Sequence, residues 1–413
     1  MGLKECQILL DNPWNTYYAG QTINGRVEIT FDTPKKVRGI HIVFKGEAHT
    51  SWMESETKTD NQGQSQTEDT SLSGHEEYFQ IQYYLLGGKN GGEIELPAGT
   101  HTYPFTCALP PSLPSSFEGE WGYVRYTVKV TLDRPWKFDQ DTKMAFTVIS
   151  AIDLNLDPRV KEPVKLELEK TFCCCWCKSG PLSVIVGIPV TGYVSGQEIP
   201  ISAECDNNSN VAVTSLKFTL RKNVKFHTQM PRRATKEDSI VIAELQVGPI
   251  EPGKSANWNQ KMTIPPLPPS NLVNCGIIDL DYDLKIETVV PGIHRGLKSK
   301  IPIILGTIPL ASFQPNAPYT DVPVPQSNVA PAEPDTSNPN AGGWALPSGD
   351  PMGAPLDNLH ALYPNIPAPT FAEGQFGATS IQDKNDTQYT RMQQQTFAPC
   401  YPTFAFNPSA PVM

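Results

Sequence analysis

No apolar run in this 413-residue chain approaches the ~18 residues that a membrane-spanning helix needs. Its first residues, Met1-Gly2-Leu3-Lys4-Glu5-Cys6, also lack the hydrophobic stretch of a secretory signal. These absences predict a cytoplasmic protein that reaches membranes only by recruitment. Gly2 does not begin a myristoylation motif, because Cys6 stands where Ser or Thr belongs. Basic residues are few, 33 against 43 acidic ones, and the net charge of -10 argues against general nucleic-acid binding, which depends on neutralising phosphates. The nine cysteines form no spaced disulfide framework; four crowd together at Cys173, Cys174, Cys175 and Cys177, a pattern that suits a reducing compartment. Seven scattered His form no HExxH, and no Ser sits in a GxSxG elbow. Glu76 and Glu77 are adjacent and would face opposite ways on a strand, whereas Asp279 and Asp281 share a face. Nothing assembles an enzyme site, and no metal or cofactor is predicted.

Proline, by contrast, is abundant at 40 residues, and 17 of these lie between Gln314 and the C-terminus. That last segment has two basic and eight acidic residues, so it holds -6 of the total charge. Such a composition cannot bury enough apolar surface to offset the entropy of ordering, so residues 314–413 are predicted to be a disordered Pro-rich tail that acts through short motifs.

The rest reads as strands and turns. Residues 25–31 and 37–44 alternate with period two around the turn Asp32-Thr33-Pro34-Lys35, and the alternation returns at 123–130, 216–220, 240–245, 282–287 and 300–305. No segment sustains a 3.6-residue apolar period, which excludes a helical domain. The body is also duplicated in plan: Gly20-Gln21-Thr22-Ile23-Asn24-Gly25-Arg26-Val27 has a counterpart in Gly192-Tyr193-Val194-Ser195-Gly196-Gln197-Glu198-Ile199-Pro200-Ile201. The resulting partition is 1–152, a charged, Pro-punctuated hinge at 153–170, a second domain at 171–313, and the tail. The polar insert at 53–77 is expected to be a loop.

Several strings together resemble the arrestin family. They are Leu96-Pro97-Ala98-Gly99-Thr100-His101-Thr102-Tyr103-Pro104-Phe105, Leu113-Pro114-Ser115-Ser116-Phe117-Glu118-Gly119, Gly122-Tyr123-Val124-Arg125-Tyr126-Thr127-Val128-Lys129 and Asp133-Arg134-Pro135-Trp136 in the first half. In the second half they are Gly192-Tyr193-Val194-Ser195-Gly196-Gln197-Glu198-Ile199, Asp206-Asn207-Asn208-Ser209 and Ile278-Asp279-Leu280-Asp281-Tyr282. With its Pro-rich tail, the chain is similar to the alpha-arrestin, or arrestin domain-containing, branch. The resemblance implies an all-β protein: two immunoglobulin-like β-sandwich domains in tandem. It also implies a non-enzymatic adaptor that binds cytoplasmic parts of membrane receptors or transporters and recruits sorting machinery, at the plasma membrane and endosomes. A cytosolic signalling scaffold or metabolic regulator that binds soluble partners is the alternative.

The tail motifs point the same way. Pro408-Ser409-Ala410-Pro411 resembles the late-domain motif that ESCRT-I binds, a rigid extended segment docking in a groove at low entropy cost. Leu362, Tyr363, Pro364 and Ile366 resemble the LYPx motif bound by Bro1-domain proteins, with Ile366 in place of the usual Leu. The family's PPxY motif, which recruits HECT-type ubiquitin ligases through WW domains, is missing; its nearest relic is Pro399 with Tyr401, without the first Pro. The Cys173–Cys177 cluster, flanked by Phe172, Trp176, Lys170 and Lys178, suits reversible palmitoylation and peripheral membrane association, or else a buried Cys-rich strand. Gly248-Pro249-Ile250-Glu251-Pro252-Gly253-Lys254-Ser255 spells a P-loop, but two prolines remove phosphate-binding N–H donors and Glu251 would repel phosphate, so a loop between antiparallel strands is expected. Gly248 falls where one family branch has a thioredoxin-binding Cys, and no acid-pairing Arg for an ionic latch is identifiable.

Overall fold

The computed structural model describes residues 3–59, 65–89, 91–172, 180–311, 363, 366–375, 378–383 and 386–406. In the first domain the strands are β1 (Leu3–Leu10), β2 (Thr16–Tyr18), β3 (Thr22–Phe31), β4 (Lys35–Val37), β5 (Gly39–Thr59), β6 (Ser65–Gly87), β7 (Ile94–Leu96), β8 (Gly99–Ala108), β9 (Phe117–Gly119), β10 (Gly122–Asp133) and β11 (Gln140–Ile149). In the second they are β12 (Val164–Lys170), β13 (Leu182–Ile188), β14 (Gly192–Tyr193), β15 (Glu198–Asn207), β16 (Ser215–Thr228), β17 (Ala234–Val247), β18 (Lys254–Thr263), β19 (Ile278–Val289) and β20 (Lys298–Leu305). Each domain is a sandwich of two sheets. The first pairs β1-β3-β8 with β2-β11-β10-β5-β6, and the second pairs β12-β13-β15-β18 with β14-β20-β19-β16-β17.

Period-two alternation produces the two cores. Ile23, Val27, Ile29 and Phe31 point inward from β3 to meet Ile40, Ile42 and Phe44 of β5 and Val124, Val128 and Val130 of β10. Val184, Val186, Ile199, Ile201, Phe218, Leu220, Leu284 and Ile286 do the same in the second domain.

The duplication extends to individual hydrogen bonds. Gly20 and Gly196 each take a left-handed φ, +86° and +89°, at a turn where the next residue's side chain closes the loop. There Gln21 Oε1 accepts from Tyr18 N at 2.7 Å, and Gln197 Oε1 accepts from Val194 N at 2.8 Å. Tyr126 donates to the Pro114 carbonyl at 2.7 Å, and Tyr282 donates to that of Pro268 at 2.8 Å. Ser116 Oγ and Ser270 Oγ both accept a backbone N–H at 2.9 Å, from Val148 and Leu305.

Three expectations need correction. The hinge is shorter than 153–170: Leu154–Leu156 and Pro158–Lys161 are 3-10 turns, but Val164–Lys170 already pairs along its whole length with β13. Its alternating Val164, Leu166 and Leu168 turn toward the second core, which makes it sheet and not linker. The insert at 53–77 is no loop, because β5 and β6 continue through it as one hairpin, in unbroken register from Glu47–Glu77 to Thr59–Ser65. Trp52 and Leu72 are buried at its base. The P-loop string does not join a pair of antiparallel neighbours: it crosses from β17 to β18, which lie in facing sheets, and buries Ile250 on the way.

The tail brings the fourth and largest difference. Its described part adds β21 (Thr370–Glu373), β22 (Thr379–Ser380), β23 (Thr390–Met392), β24 (Thr396–Phe397) and β25 (Cys400–Thr403), and it lies against the body. Strand β23 joins the larger sheet of the first domain, parallel to β11, with Thr390, Arg391 and Met392 opposite Asp141, Thr142 and Lys143. Tandem sandwiches are thus present as expected, while residues 366–375, 378–383 and 386–406 are folded and not free.

Candidate functional site

Two surfaces bring chemistry-bearing residues together: the seam between the sandwiches and the face under the returning tail. At the seam, Thr50 Oγ1 donates to the His227 carbonyl at 2.7 Å, and Gly276 N donates to Glu76 Oε2 at 3.0 Å. Gly74 is required here, since a Cβ would sit 2.7 Å from the His227 carbonyl oxygen. Phe117 and Phe226 meet with ring centroids 6.2 Å apart, and Lys236 Nζ lies 3.3 Å from the centre of the Trp121 ring. Arg232 reaches Glu54 and Glu56 on the hairpin arm. The end of the second domain returns to the linker, where Ile152 N donates to Thr307 Oγ1 at 2.7 Å.

The tail face is built around two buried cations. Arg125 makes a bidentate pair with Glu118, Nε to Oε1 at 2.8 Å and Nη2 to Oε2 at 2.7 Å, with side-chain exposures of 6% and 0%. Thr379 of the tail inserts its hydroxyl between them, accepting from Arg125 Nη2 at 2.8 Å and donating to Glu118 Oε2. Burial pushes the Glu118 carboxyl up, against the pull of the guanidinium. Lys143, on β11 with only 5% of its side chain exposed, pairs with Asp383 and, at 3.1 Å, with Asp386. Both acids belong to the tail, 240 residues or more along the chain.

Apolar and backbone contacts extend this clamp. Ile381 and Phe397 pack on Ala145, and the Tyr389 ring stacks on Phe138 at 4.9 Å. Gln393 serves as a surrogate strand for Ile8 of β1, accepting from its N–H at 2.8 Å and donating to its carbonyl at 2.9 Å. Tyr401 is buried and bonds the Ser116 carbonyl, and Phe404 N donates to the Ser195 carbonyl of the second domain at 3.0 Å. The tail therefore touches both sandwiches. At that far end Gly196 admits the tail closely, because a Cβ there would lie 2.5 Å from the Phe404 carbonyl oxygen.

Among the motif residues singled out in the sequence, Pro399 and Tyr401 are both buried on this face, so a WW domain reaches them only if the segment leaves the body. Tyr363 donates to Asp153 Oδ2 of the linker at 2.9 Å and Ile366 is buried, while Leu362 and Pro364 lie outside the described residues. Pro408, Ser409, Ala410 and Pro411, and Cys173, Cys174, Cys175 and Cys177, also lie outside them. Asp279 and Asp281 are both exposed on β19, as their spacing predicts, and Asp279 meets His227 Nε2 at 2.8 Å. Among the described residues Arg221 pairs not with these two acids but with Asp283, bidentate at 2.8 and 2.9 Å.

Sequence reasoning missed Arg125, Glu118 and Lys143 as a group, and the tail acids Asp383 and Asp386. A usable signal exists: from Thr370 to Ala398 the Pro-rich tail contains no proline at all. Among the described residues, no cluster of three His, Cys, Asp or Glu has the arrangement of a metal site, and no helix is long and apolar enough to cross a membrane.

Comparison with known proteins agrees with this architecture. Residues 6–155 match the family model described as Arrestin (or S-antigen), N-terminal domain, and residues 178–310 match Arrestin (or S-antigen), C-terminal domain. The chain is 32% identical to Arrestin domain-containing protein 17 of Caenorhabditis elegans, over 97% of this chain and 99% of that protein. It is 32% identical to Arrestin domain-containing protein 4 of Mus musculus over 73% of this chain and 71% of that one, and 29% identical to human Thioredoxin-interacting protein over 74% and 75%. With both domain matches in order over a duplicated pair of β-sandwiches, the chain belongs to the arrestin family, in its alpha-arrestin branch.

Proposed function

We propose that this alpha-arrestin is a non-enzymatic adaptor whose body binds cytoplasmic regions of membrane receptors or transporters and whose tail delivers them to ESCRT-I through Pro408-Ser409-Ala410-Pro411. The single observation that carries the reading is the tail clamp: Asp383 and Asp386 cover Lys143, and Thr379 caps the Arg125–Glu118 pair. A buried cation on the body held by acids of the tail gives an adaptor a closed form, and binding of cargo to the body then has a direct physical means of changing what the tail presents. Tyr363 and Ile366, a Bro1-type motif in this reading, are held on the linker and body by the same closure. In the open form Pro399 and Tyr401 become a weak WW ligand for HECT-type ligases. Palmitoylation of Cys173, Cys174, Cys175 or Cys177 would supply peripheral attachment to the plasma membrane and endosomes.

The test is capture of ESCRT-I from cytosol by full-length protein, comparing wild type, Pro408→Ala/Pro411→Ala and Asp383→Asn/Asp386→Asn. The expected result is loss of ESCRT-I in the first variant and increased capture in the second. Equal capture by wild type and the Pro408→Ala/Pro411→Ala variant would remove the ESCRT assignment.

A further inference from the structure

We propose that the cleft between the returning tail and the first domain is a binding site for an alkylammonium group. The cleft has a volume of about 500 Å³, within the size range of small-molecule sites. One wall comes from the body: Trp14 in the β1–β2 turn and Thr147 on β11. The other comes from the tail: Phe371 and Glu373 on β21, then Gln394 and Phe397.

Two properties of these walls select the ligand. The rings of Trp14 and Phe371 both line the cleft, with centroids 6.4 Å apart and planes tilted by 41°, and Trp14 is half exposed. Aromatic faces of this kind attract cations and cover alkyl chains. The wall contains a carboxylate, Glu373, and no Lys, Arg or His, and among the described residues Glu373 makes no salt bridge. A neutral alcohol meets only the aromatic condition, whereas an alkylammonium, primary or quaternary, meets both.

The site exists only while the tail is docked, so the inference rests on the closed form described above. The first probe is n-butylammonium, titrated into full-length protein and followed by calorimetry and by the Trp14 indole resonance. Hydrogen exchange of residues 390–403 is measured in the same samples. n-Butanol and butyltrimethylammonium are the controls. The expected result is binding of butylammonium and of its quaternary analogue, with butanol about tenfold weaker, as loss of the cation's attraction to the rings and the Glu373 carboxylate requires. Binding drops in Glu373→Gln and disappears in Trp14→Ala, and both side chains are exposed enough to replace without loss of the fold. Spermidine and Nα-acetyl-lysine amide then distinguish a free amine from a protein-borne lysine as the natural occupant. No butylammonium binding while residues 390–403 are protected would overturn the site and leave the closed form intact, as would equal binding of butanol. Unprotected tail amides in the wild type would overturn both.

Discussion

The phenol of Tyr401 donates to the carbonyl of Ser116 at 3.0 Å, across 285 residues of chain. Two residues earlier the Pro114 carbonyl takes the Tyr126 phenol, a bond internal to the first sandwich. One short segment, 114–116, thus receives a structural tyrosine from the body and another from the tail. The second domain repeats the body half of this arrangement at Pro268 and Tyr282. The tail contributes the partner that duplication did not supply.

Lys143 is the residue whose loss should loosen this arrangement most. Replacing Lys143 by Ala leaves Asp383 and the nearly buried Asp386 facing each other without their cation. Breaking a buried pair on one side costs ~3–5 kcal/mol, enough to shift the tail from docked to free. Hydrogen exchange at residues 378–401 should rise by orders of magnitude, while exchange in β13 and β15 stays at wild-type levels. Unchanged tail protection would show that apolar contacts at Phe397 and Tyr401 suffice.

Gly20 and Gly196 form an internal control. An Ala at either position takes on the left-handed backbone penalty, ~1–2 kcal/mol. At Gly20 the new Cβ finds its nearest neighbour at 3.5 Å, but at Gly196 it meets the Phe404 carbonyl oxygen at 2.5 Å. Gly20→Ala should therefore lower the urea midpoint without freeing the tail. Gly196→Ala should do both, with new proteolytic cleavage near Phe404. Identical behaviour of the two variants would contradict a tail seated on Gly196.

His41 gives a pH dependence. Burial holds its imidazole below the ordinary value of 6.5, and its Nδ1 has no hydrogen-bond partner. With the folded value depressed, the unfolded chain binds more protons as pH falls below 6.5, so stability is lost on acidification between 6.5 and the lower folded value. The slope contributed by this one site cannot exceed ~1.4 kcal/mol per pH unit. Urea unfolding at pH 7.5, 6.5 and 5.5 should show a shallower acid decline in His41→Phe than in wild type. Equal declines would assign the effect to other groups.

Much of the body was legible because it is governed by a local rule. Alternation along 25–31, 37–44 and 123–130 specifies which side chains enter the core, and the Gly-Gln turns at 20–21 and 196–197 announce the repeat. The hairpin arm was misread because its polar composition describes solvent exposure, which a projecting two-stranded arm shares with a loop. The hinge was overextended because charge on the outer face of β12 hides the inward Val164, Leu166 and Leu168. The tail face was illegible for a different reason. Its average composition is that of a disordered segment, and the decisive pairs, Lys143 with Asp383 and Arg125 with Thr379, join residues more than 200 positions apart, which no periodicity encodes.

Strand β11 is bordered by β2 only at residues 147–149, and over Asp141–Lys143 its outer edge is occupied by β23. Without β23, that stretch would present open N–H and C=O groups, a template on which a second molecule can build a strand. The returning tail is therefore also a guard against self-assembly. A chain shortened at residue 362 should be less soluble and prone to edge-to-edge association, a fault that would arise from the missing tail and not from the sandwiches themselves.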